Sequence, residues 1–589
     1  MKYLRRIKAI LIRLIAAVRR RGVLRVAAMM MIVLRGVGPR TALGLVAAGR
    51  PLPHAGDDRI GQPHPILERI GQAAVNDDAA DLDGDYMMRS ADWARWRKVI
   101  GVHPPSPDPK DERFKPARVA IVVRDNGNAE AMEKTRAAVR RLGSHAEILA
   151  PGDEAPTDGA FLLFLEAGDA PFKELPLELA RAALGGVAEV ISFDMIRRVD
   201  DKVQPLFMPG ANPTMLRQVD YLFSRIAVRG AALPKGSVGG ADPRALVLAW
   251  TEGRPAAQVR GRWRHAARPL LDAEITDADV AERRDQARGS APPPRAPGGK
   301  GATVVICNKD KGNLLRQLVR SLLLADRSLV EEVVIVANGT TNFYALQAQE
   351  DLARSPRVHL LRDDGPFNFS RLTNAGVRLG KGDGPILFLN DDIVPVSEDW
   401  LERMHARLDE PDVACVGPLL LYPDETVQHA GMFMGGGWVH HTMKRARLPD
   451  EDYMFQASAA REISVVTGAV LLTRRSVFEA MNGLDEKLAL HVQDVDYCLR
   501  ASASGLRNVF DPGSVLFHVE SASIHSLEGD FDFRRNRFIE RNLFGRRWNG
   551  LRQADPFHPA GFMDDRFRRL SGPAGERPKP RGRVDETQA

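Results

Sequence analysis

Short apolar runs alternate with amphipathic helical stretches over two long parts of this sequence, and this alternation limits the fold more than any other feature. The first part begins with the run AIVV at residues 120–123, and the second begins with TVVI at residues 303–306. Strands that alternate with helices usually form parallel sheets, because each helix carries the chain back to the end where the previous strand began. The sequence therefore predicts an α/β fold with two such units, at residues 117–280 and 302–550.

The remaining segments are predicted to connect or flank these two units. Residues 51–116 are polar and rich in Pro, Asp and Gly, which is typical of a connector. Residues 281–301 contain Pro, Gly and Arg with almost nothing to bury, which favours a linker. Residues 551–589 are predicted to be a C-terminal tail that is partly disordered.

Residues 1–50 carry most of the basic character of the chain. They contain twelve Lys or Arg and no Asp or Glu, whereas the net charge of the whole chain is +7. Their longest uncharged run, residues 26–34, is far shorter than the roughly 20 residues that cross a bilayer. Arginines at helical spacing among aliphatic residues favour a basic amphipathic helix on an anionic membrane surface. A helical arm that binds another protein is the alternative.

Cysteine content and motif content narrow the compartment and the partners. Three cysteines occur far apart, without disulfide or zinc spacing, which favours a reducing compartment such as the cytoplasm. No nucleic-acid recognition motif accompanies the basic segment, so nucleic acid is not a predicted partner.

The stretch LFLNDDIVP places Asn390, Asp391 and Asp392 directly after an apolar strand. Asn and Asp are common turn formers, and a simple turn is one interpretation. In open α/β sheets, however, ligands bind beyond the carboxyl ends of strands, and adjacent carboxylates repel unless a cation or a proton compensates them. The rest of the second unit has to decide between a turn and a ligand site.

Seven segments of the second unit follow one another in a recognisable order. They read ICNKDK, IVANGTT, FNFSRLTN, LFLNDD, QHAG, QDVDYCLR and FHVES. This order resembles family 2 glycosyltransferases, and specifically the rhamnosyltransferase-like branch that builds bacterial surface polysaccharides such as O-antigen. The resemblance implies a GT-A, Rossmann-like fold for residues 302–550. It also implies an inverting enzyme that moves a sugar from a nucleotide-diphosphate sugar to an acceptor hydroxyl.

The resemblance assigns a divalent cation to the strand that ends in the two acids. Asn390, Asp391 and Asp392 occupy the three positions of the family's DXD motif, with Asp392 as the direct ligand. His518, in FHVES, is implied as a further ligand of the cation or the diphosphate. Hard oxygen ligands with an imidazole suit Mg²⁺ or Mn²⁺, and such a cation neutralises a leaving diphosphate.

The resemblance also assigns a general base. Asp494 is predicted to lie in the first turn of a helix, where the helix dipole favours an ionised acid, and by resemblance it takes the proton of the acceptor. Asp496 lies two residues later and is predicted to cap the helix or to pair with Arg500. An acid that merely begins a helix is the structural interpretation of Asp494.

The resemblance extends to the donor and acceptor pockets. The implied donor-binding residues are Asn308, Lys309, Asp310, Asn338, Gly339, Arg371, Asn374, Asn390 and Asp391. Two positions depart from the family pattern, because Ala337 stands where the family has a nucleoside-binding acid and Asn390 replaces the first acid of DXD. Trp438 and Lys444 lie in a glycine-rich, basic stretch, residues 429–453, which is predicted to be an acceptor lid or an ordinary long loop.

Residues 117–280 look like a degenerate GT-A-like copy of the second unit. LEAGD, at residues 165–169, corresponds to the acidic strand end, but no counterpart of QDVDYCLR or FHVES precedes the linker. Asp194 is the only other acid there that fits a site. Because the base block is missing, the first unit is predicted to have a structural or acceptor-holding role.

The function predicted for the whole chain is metal-dependent sugar transfer to a lipid-linked or polysaccharide acceptor. The pathway would be synthesis of O-antigen, capsule or exopolysaccharide at the cytoplasmic face of the inner membrane, with the protein peripheral to the membrane or cytoplasmic. A non-catalytic GT-A-like scaffold of a polysaccharide assembly complex is the alternative, supported by Ala337, Asn390 and the reduced first unit. A metal-dependent phosphohydrolase is disfavoured, because the sequence offers no second cluster of acids and histidines for a two-metal site.

Overall fold

The structure is a computed structural model that describes part of the chain in detail. The described residues are 87–90, 93, 115–150, 152–183, 187–233, 240–289, 291–435, 438–519, 531–548 and 555–559. The predictions for residues 1–50 and for nearly all of the connector at residues 51–116 lie outside them. Two compact units divide the chain, and residues 531–546 are the described part of the smaller one.

The first half of the larger unit is built on one sheet, to which nine described strands belong. They are β1 (Met88–Arg89), β2 (Val119–Arg124), β3 (Ala146–Ile148), β4 (Phe161–Glu166), β5 (Ala170–Pro171), β6 (Val190–Val199), β7 (Lys202–Leu206), β8 (Ala227–Arg229) and β9 (Trp263–Asp272). The order is β1-β7-β6-β8-β4-β2-β3, and β9 pairs with both β5 and β6. As predicted, β2 runs parallel to β3 and β4, but β8 is antiparallel to β4, so the sheet is mixed.

Six helices are described in the first half. They are α1 (Ala129–Arg140), α2 (Leu175–Ala182), α3 (Pro213–Gln218), α4 (Pro243–Thr251), α5 (Ala256–Arg262) and α6 (Asp277–Gly289). Helix α6 extends into the predicted linker, which is irregular only from residue 291 onward. A reciprocal cap begins this helix, since the Asp279 N–H donates to Thr276 Oγ1 at 3.1 Å and the Thr276 N–H donates to Asp279 Oδ2 at 2.8 Å. The sequence prediction begins the linker at residue 281, inside this helix, because Pro, Gly and Arg dominate the composition of residues 281–301.

The second half is built on a larger mixed sheet of ten described strands, with a separate hairpin. The strands are β10 (Ala302–Asn308), β11 (Val330–Ala337), β12 (Val358–Arg362), β13 (Ile386–Leu389), β14 (Ile393–Pro395), β15 (Val413–Leu421), β16 (Val427–His429), β17 (Met432–Gly435), β18 (Trp438–His441), β19 (Arg461–Ile463), β20 (Val470–Thr473) and β21 (Arg507–His518). The order β12-β11-β10-β13-β20-β15-β21-β14 has a parallel part, in which β10 pairs with β11 and β13 and β11 pairs with β12. Strand β20 then joins β13 in the antiparallel direction. The second sheet is therefore also mixed rather than wholly parallel.

The predicted strand LFLNDDIVP is divided by its own acids. Strand β13 ends at Leu389 and β14 begins at Ile393, so Asn390, Asp391 and Asp392 form the turn between them. Strand β14 pairs with β21, and Ile393 lies opposite His518. The turn interpretation and the ligand-site interpretation are thus compatible, because the same three residues form the turn and lie at the carboxyl end of β13.

Helices cover the second sheet. They are α7 (Gly312–Leu324), α8 (Phe343–Ala353), α9 (Phe369–Leu379), α10 (Trp400–Asp409), α11 (Arg475–Ala480) and α12 (Gln493–Ala503). A further helix, α13 (Phe531–Arg547), lies almost wholly in the smaller unit. Helix α7 buries Leu315, Leu318, Val319 and Leu322, an apolar face with three- and four-residue spacing. Helix α9 lies close to the sheet at Gly376, where a Cβ atom would come within 2.6 Å of Val305 and 2.8 Å of Val336. None of the described helices combines the length and the apolar character that crossing a bilayer requires.

The two halves share one compact unit and bind each other through buried polar groups. Asn212 of the first half donates to the Glu462 carbonyl at 2.9 Å, and its side-chain oxygen accepts from the Glu462 N–H at 2.9 Å. The Tyr453 hydroxyl donates to the Pro205 carbonyl at 2.9 Å and accepts from the Phe207 N–H at 2.8 Å. The first half is therefore part of the support of the second.

Candidate active site

Polar residues gather where the central strands of the second sheet end. Asn308 ends β10, and its carbonyl accepts from the N–H of Asn338, which follows β11. Asn390 follows β13, and its N–H donates to the Ala469 carbonyl at 2.9 Å, just before β20 begins. Carboxyl ends of the parallel strands thus meet at one sheet edge, which is where α/β proteins bind ligands.

Asp391 and Asp392 share one lysine at this edge. The Lys311 Nζ lies 3.1 Å from Asp391 Oδ1 and 3.0 Å from Asp392 Oδ2. Both carboxylates are buried, and burial raises the pKa of Asp391 although the Lys311 ammonium acts against that rise. Burial disfavours the charge on Lys311, but the two carboxylates outweigh it and raise the lysine pKa.

Asp391 is also held by two side-chain amides that bind in sequence, those of Asn308 and Gln349. The Asn308 amide donates to Asp391 Oδ2 at 2.8 Å. The Gln349 amide, from α8, donates to Asn308 Oδ1 at 2.8 Å, so the orientation of Asn308 is determined. Asp391 is therefore held by the protein on both of its oxygens.

His518 stands on the other side of Asp392. Its Nδ1 lies 2.6 Å from Gln428 Oε1, and because that oxygen can only accept, Nδ1 carries the proton. The Nε2 atom lies 3.4 Å from the Asn390 amide nitrogen and 3.2 Å from Asp392 Oδ1. Gln428 thus engages Nδ1 and leaves Nε2 as the ring nitrogen that faces Asp392 and could bind a metal ion.

Asp392 and His518 together fit a divalent cation whose remaining coordination positions are filled by a bound substrate and water. The described residues contain no group of three or more His, Cys, Asp or Glu side chains that could hold a metal ion. Mg²⁺, however, usually takes one or two carboxylates and completes its sphere with water and substrate phosphates. Neighbouring ligands in such a sphere lie about 3 Å apart, and Asp392 Oδ1 lies 3.2 Å from His518 Nε2. A carboxylate oxygen and a ring nitrogen at that distance can share one cation.

Asp494 lies in the first turn of α12, as the sequence predicts. Its Oδ2 accepts from the Gly468 N–H at 2.7 Å and its Oδ1 accepts from the Val495 N–H at 2.8 Å. A Cβ atom on Gly468 would come within 3.3 Å of the Asp494 Cβ, so glycine gives the carboxylate room at this backbone. The surrounding protein raises the pKa of Asp494 by desolvation, and the backbone donors only partly offset that rise.

The carboxylate of Asp494 is connected to the paired acids through two adjacent residues. It binds the N–H of Gly468, and the next residue, Ala469, binds the N–H of Asn390. Asp494, Asn390, Asp391 and Asp392 therefore belong to one end of the sheet, where β13 ends and β20 begins.

Asp496 has a structural role, as predicted. The Arg500 Nε donates to it at 2.8 Å, and Arg547 and the Trp548 indole donate to its other oxygen at 2.6 Å and 2.9 Å. These bonds join Asp496 to Arg500 in the last turn of α12 and to Arg547 and Trp548.

The loop after β10 places its residues differently from one another. Asp310 has a left-handed backbone, with φ of 58°, and its carboxylate accepts from the N–H groups of Thr341 and Asn342 at 2.8 Å and 2.7 Å. These backbone bonds are the main cause that lowers the pKa of Asp310. Lys309 is exposed beside Gly339, while the left-handed residue directs the next side chain, Lys311, toward the acids. The sequence named Lys309 and missed Lys311.

Arg371 and Asn374 hold loops instead of pointing to the acids. Arg371 forms an ion pair with Asp363 and donates to the Pro366 carbonyl at 3.1 Å. The Asn374 amide donates to the Leu484 carbonyl at 2.9 Å, and its oxygen accepts from the Leu484 N–H at 3.0 Å. Asn338 also holds a loop, since its amide donates to the carbonyls of Asp363 and Gly365. In the structure, these three predicted donor-binding side chains bind residues 363–366 and Leu484.

The predicted acceptor stretch contains the hairpin of β17 and β18. Trp438 lies opposite Gly435 at the start of β18, and Lys444 is half-buried three residues after that strand ends. The hairpin is held from the C-terminal side, because Asp555 accepts from the Met434 N–H at 2.8 Å and His558 stacks on Phe433 with ring centroids 3.5 Å apart. Part of the predicted C-terminal tail is therefore packed.

The comparisons with known proteins agree with this architecture. Residues 303–481 match the family model described as glycosyl transferase family 2. This part of the chain belongs to glycosyltransferase family 2. The matched residues of the family 2 domain include the paired acids at 391 and 392, whereas Asp494 and His518 lie beyond its last matched residue.

Three curated relatives extend the likeness beyond the family 2 domain. An uncharacterised protein of Sinorhizobium fredii is 36% identical over 258 residues, covering 43% of this chain and 28% of that protein. The O-antigen biosynthesis protein RfbC of Myxococcus xanthus is 30% identical over 402 residues, covering 62% of this chain and 31% of RfbC. The N-acetylglucosaminyl-diphospho-decaprenol L-rhamnosyltransferase of Mycobacterium tuberculosis is 26% identical over 242 residues, covering 37% of this chain and 76% of that enzyme. This chain thus spans less than a third of the length of the first two.

Proposed function

We propose that this chain is an inverting, divalent-cation-dependent glycosyltransferase that uses a nucleotide-diphosphate sugar. One observation carries the proposal most directly. Asp392 and His518, the proposed metal ligands, lie at the same end of the sheet as the carboxylate of Asp494. Residues 468–469 join the two parts, since Gly468 binds the Asp494 carboxylate and Ala469 binds the N–H of Asn390. A cation-binding pair for the leaving group and a separate base for the acceptor are what transfer by direct displacement requires.

The residues of this chain divide the proposed reaction between them. Asp494 takes the proton of an acceptor hydroxyl as its oxygen attacks the anomeric carbon of the donor sugar. The bond from that carbon to the diphosphate oxygen breaks on the opposite face, and the nucleoside diphosphate leaves with the electron pair. Asp392 and His518 would hold Mg²⁺ or Mn²⁺, which when bound offsets the charge on the leaving diphosphate. Asn308, Lys309, Gly339 and Asn390 remain proposed donor contacts, and Trp438 and Lys444 remain proposed acceptor contacts.

The proposed acceptor is a lipid-linked or polysaccharide glycan of the bacterial surface. This proposal rests on the names of the relatives, which concern O-antigen biosynthesis in one case and rhamnosyl transfer to a diphospho-decaprenol sugar in another. Ala337 stands where the family has a nucleoside-binding acid, so donors with several different nucleotides have to be compared.

The first half is proposed to be structural. Asp169, at the position that corresponds to the paired acids, is fully buried and ion-paired with Arg225 at 3.0 Å. Asp194 accepts from the Met208 N–H at 2.9 Å and lies 3.0 Å from the His265 Nε2. Asp194 thus lies beside an imidazole, as Asp392 does, but the same Asp194 oxygen also binds a backbone N–H, and Asp169 is held by a buried arginine.

The test is release of nucleotide from a panel of UDP-, GDP- and dTDP-sugars with Mg²⁺ or Mn²⁺, with membrane extract as the acceptor source. Asp392→Asn should lower metal-dependent release by about a hundredfold or more, because the cation contributes several kcal/mol of charge stabilisation. Asp399→Asn is the matched control, since Asp399 is exposed, lies seven residues later in the chain and pairs with Arg403. Equal release by wild type and Asp392→Asn, or no release with any donor, would favour the scaffold.

Residues 1–50 are proposed to bring the protein to an anionic membrane surface, on the strength of their twelve basic and no acidic residues. The full chain should float with vesicles that contain anionic lipid, and a variant without residues 1–50 should not. Neutral vesicles are the control, because the attraction is largely electrostatic. Equal flotation of both proteins would contradict the proposal.

A further inference from the structure

Lys311 occupies a position that the proposed chemistry does not explain. It lies one residue before α7, and its Nζ is within 3.1 Å of a carboxylate oxygen on each of the paired acids. Its side chain is only 23% exposed, so solvent screens its charge incompletely. Divalent-cation sites are usually lined by negatively charged groups, and a lysine among the acids reduces the net negative charge of the site.

The oxygens of the two acids are divided between different partners. Asp391 Oδ2 accepts from Asn308, while Asp391 Oδ1 and Asp392 Oδ2 lie against Lys311. Asp392 Oδ1 lies 3.2 Å from the His518 Nε2. A cation held by Asp392 Oδ1 and His518 would therefore leave the contacts of Lys311 intact.

The formal charges of this cluster then follow. Asp391, Asp392 and Lys311 sum to one negative charge, because two carboxylates share one ammonium. A divalent cation brings the cluster to one positive charge, and a diphosphate with two negative charges returns it to one negative charge. Without the lysine, the same three states would be two negative, neutral and two negative.

We propose that Lys311 is a built-in counter-cation that weakens divalent-cation binding to the empty site and strengthens binding of the nucleoside diphosphate. The inference rests on the proposed function, because it assumes that a diphosphate binds at the paired acids. Its consequence is that metal ion and donor are held best together, so that the empty site does not retain a tightly bound ion. Lys311 acts here as a positioning and charge-setting residue.

The two effects have opposite signs, and a merely structural lysine would not produce them. Lys311→Met keeps most of the side-chain length and removes the charge. Mn²⁺ should then bind the donor-free protein about tenfold more tightly, as expected for one partly screened unit charge, while UDP, GDP or dTDP with Mg²⁺ should bind more weakly by a similar factor. A loss of support for the acids would weaken both.

The experiment measures Mn²⁺ affinity of the full chain by electron paramagnetic resonance without nucleotide, and nucleoside diphosphate affinity by calorimetry with Mg²⁺. Lys300→Met is the matched control, since Lys300 also pairs with an acid, Asp383, but on the surface. Lys311→Arg keeps the charge and should behave as wild type. The double variant Lys311→Met with Asp391→Asn restores the net charge and should return the Mn²⁺ affinity toward that of wild type.

Each outcome has a defined meaning. Tighter Mn²⁺ binding by Lys311→Met, reversed in the double variant, supports the proposal, and unchanged or weaker Mn²⁺ binding overturns it. Lys311→Gln repeats the measurement with a side chain that still donates hydrogen bonds, which keeps the test decisive if methionine destabilises the fold. If wild type binds no nucleoside diphosphate, the proposed function fails, while the Mn²⁺ comparison still decides the effect of Lys311 on the cation.

Discussion

Replacing Asp494 with asparagine should lower turnover by about 10²–10⁴-fold, the usual contribution of a positioned general base. An amide cannot take the proton of the acceptor hydroxyl, whereas the donor and the cation would still bind at the paired acids. Steady-state nucleotide release in the presence of acceptor, together with calorimetric binding of the nucleoside diphosphate, separates the two effects. The expected result is lost turnover with diphosphate affinity close to that of wild type.

The matched control lies two residues away on the same helix. Asp496 is buried and binds Arg500, Arg547 and Trp548, so Asp496→Asn should lower the thermal midpoint and leave turnover of the folded protein largely intact. Asp494→Asn should show the reverse pattern. If Asp494→Asn retains full turnover, or loses activity only because it unfolds, Asp494 is not the base.

The pH dependence of the wild type gives a second readout for Asp494. Desolvation raises its pKa, and the base acts only when it is ionised. As the pH falls through that raised pKa, kcat/KM should decline, and the decline should begin at a higher pH than for an ordinary aspartate. The residual activity of Asp494→Asn should lack this acidic limb. An unchanged limb in the variant would assign it to another group.

Local patterns were sufficient to predict much of the second half. The run ATVVICN predicts β10, and the apolar spacing of NLLRQLVRSLLL predicts α7, because burial of one face imposes those periods. Asp494 lies in the first turn of α12 as predicted, since an acid and a helical pattern coincide there. The relative direction of β13 and β20 was not predictable, because strand pairing depends on contacts between residues distant in sequence.

The partners of the candidate site residues were not predictable for the same reason. Lys311 meets Asp391 across 80 residues and His518 meets Gln428 across 90, and neither pairing leaves a periodic signal. A left-handed residue at Asp310 decides which lysine of NKDK faces the acids, and composition does not reveal it. The motif implies donor binding for Arg371 but does not reveal its ion pair with Asp363, eight residues earlier.

Asp169→Ala should lower the free energy of unfolding by about 3–5 kcal/mol, the usual cost of leaving one member of a buried ion pair alone. The Asp169 carboxylate binds both Arg225 Nε and Nη2, at 3.0 Å and 3.1 Å, and accepts from the N–H groups of Glu166 and Glu274 at 2.8 Å each. Its removal would strand the Arg225 guanidinium in the interior. Denaturant titration measures the loss, and nucleotide release normalised to folded protein measures activity.

The control for Asp169 is Lys134→Ala, which removes an exposed ion pair with Glu274 and should change stability by no more than about 1 kcal/mol. Because Asp169 stands where the second half has its paired acids, the two experiments distinguish a structural first half from a catalytic one. A structural first half gives a large loss of stability with normal specific turnover. Lost turnover at unchanged stability would instead mean that the first half takes part in the chemistry, and the buried pair with Arg225 makes the former the expected result.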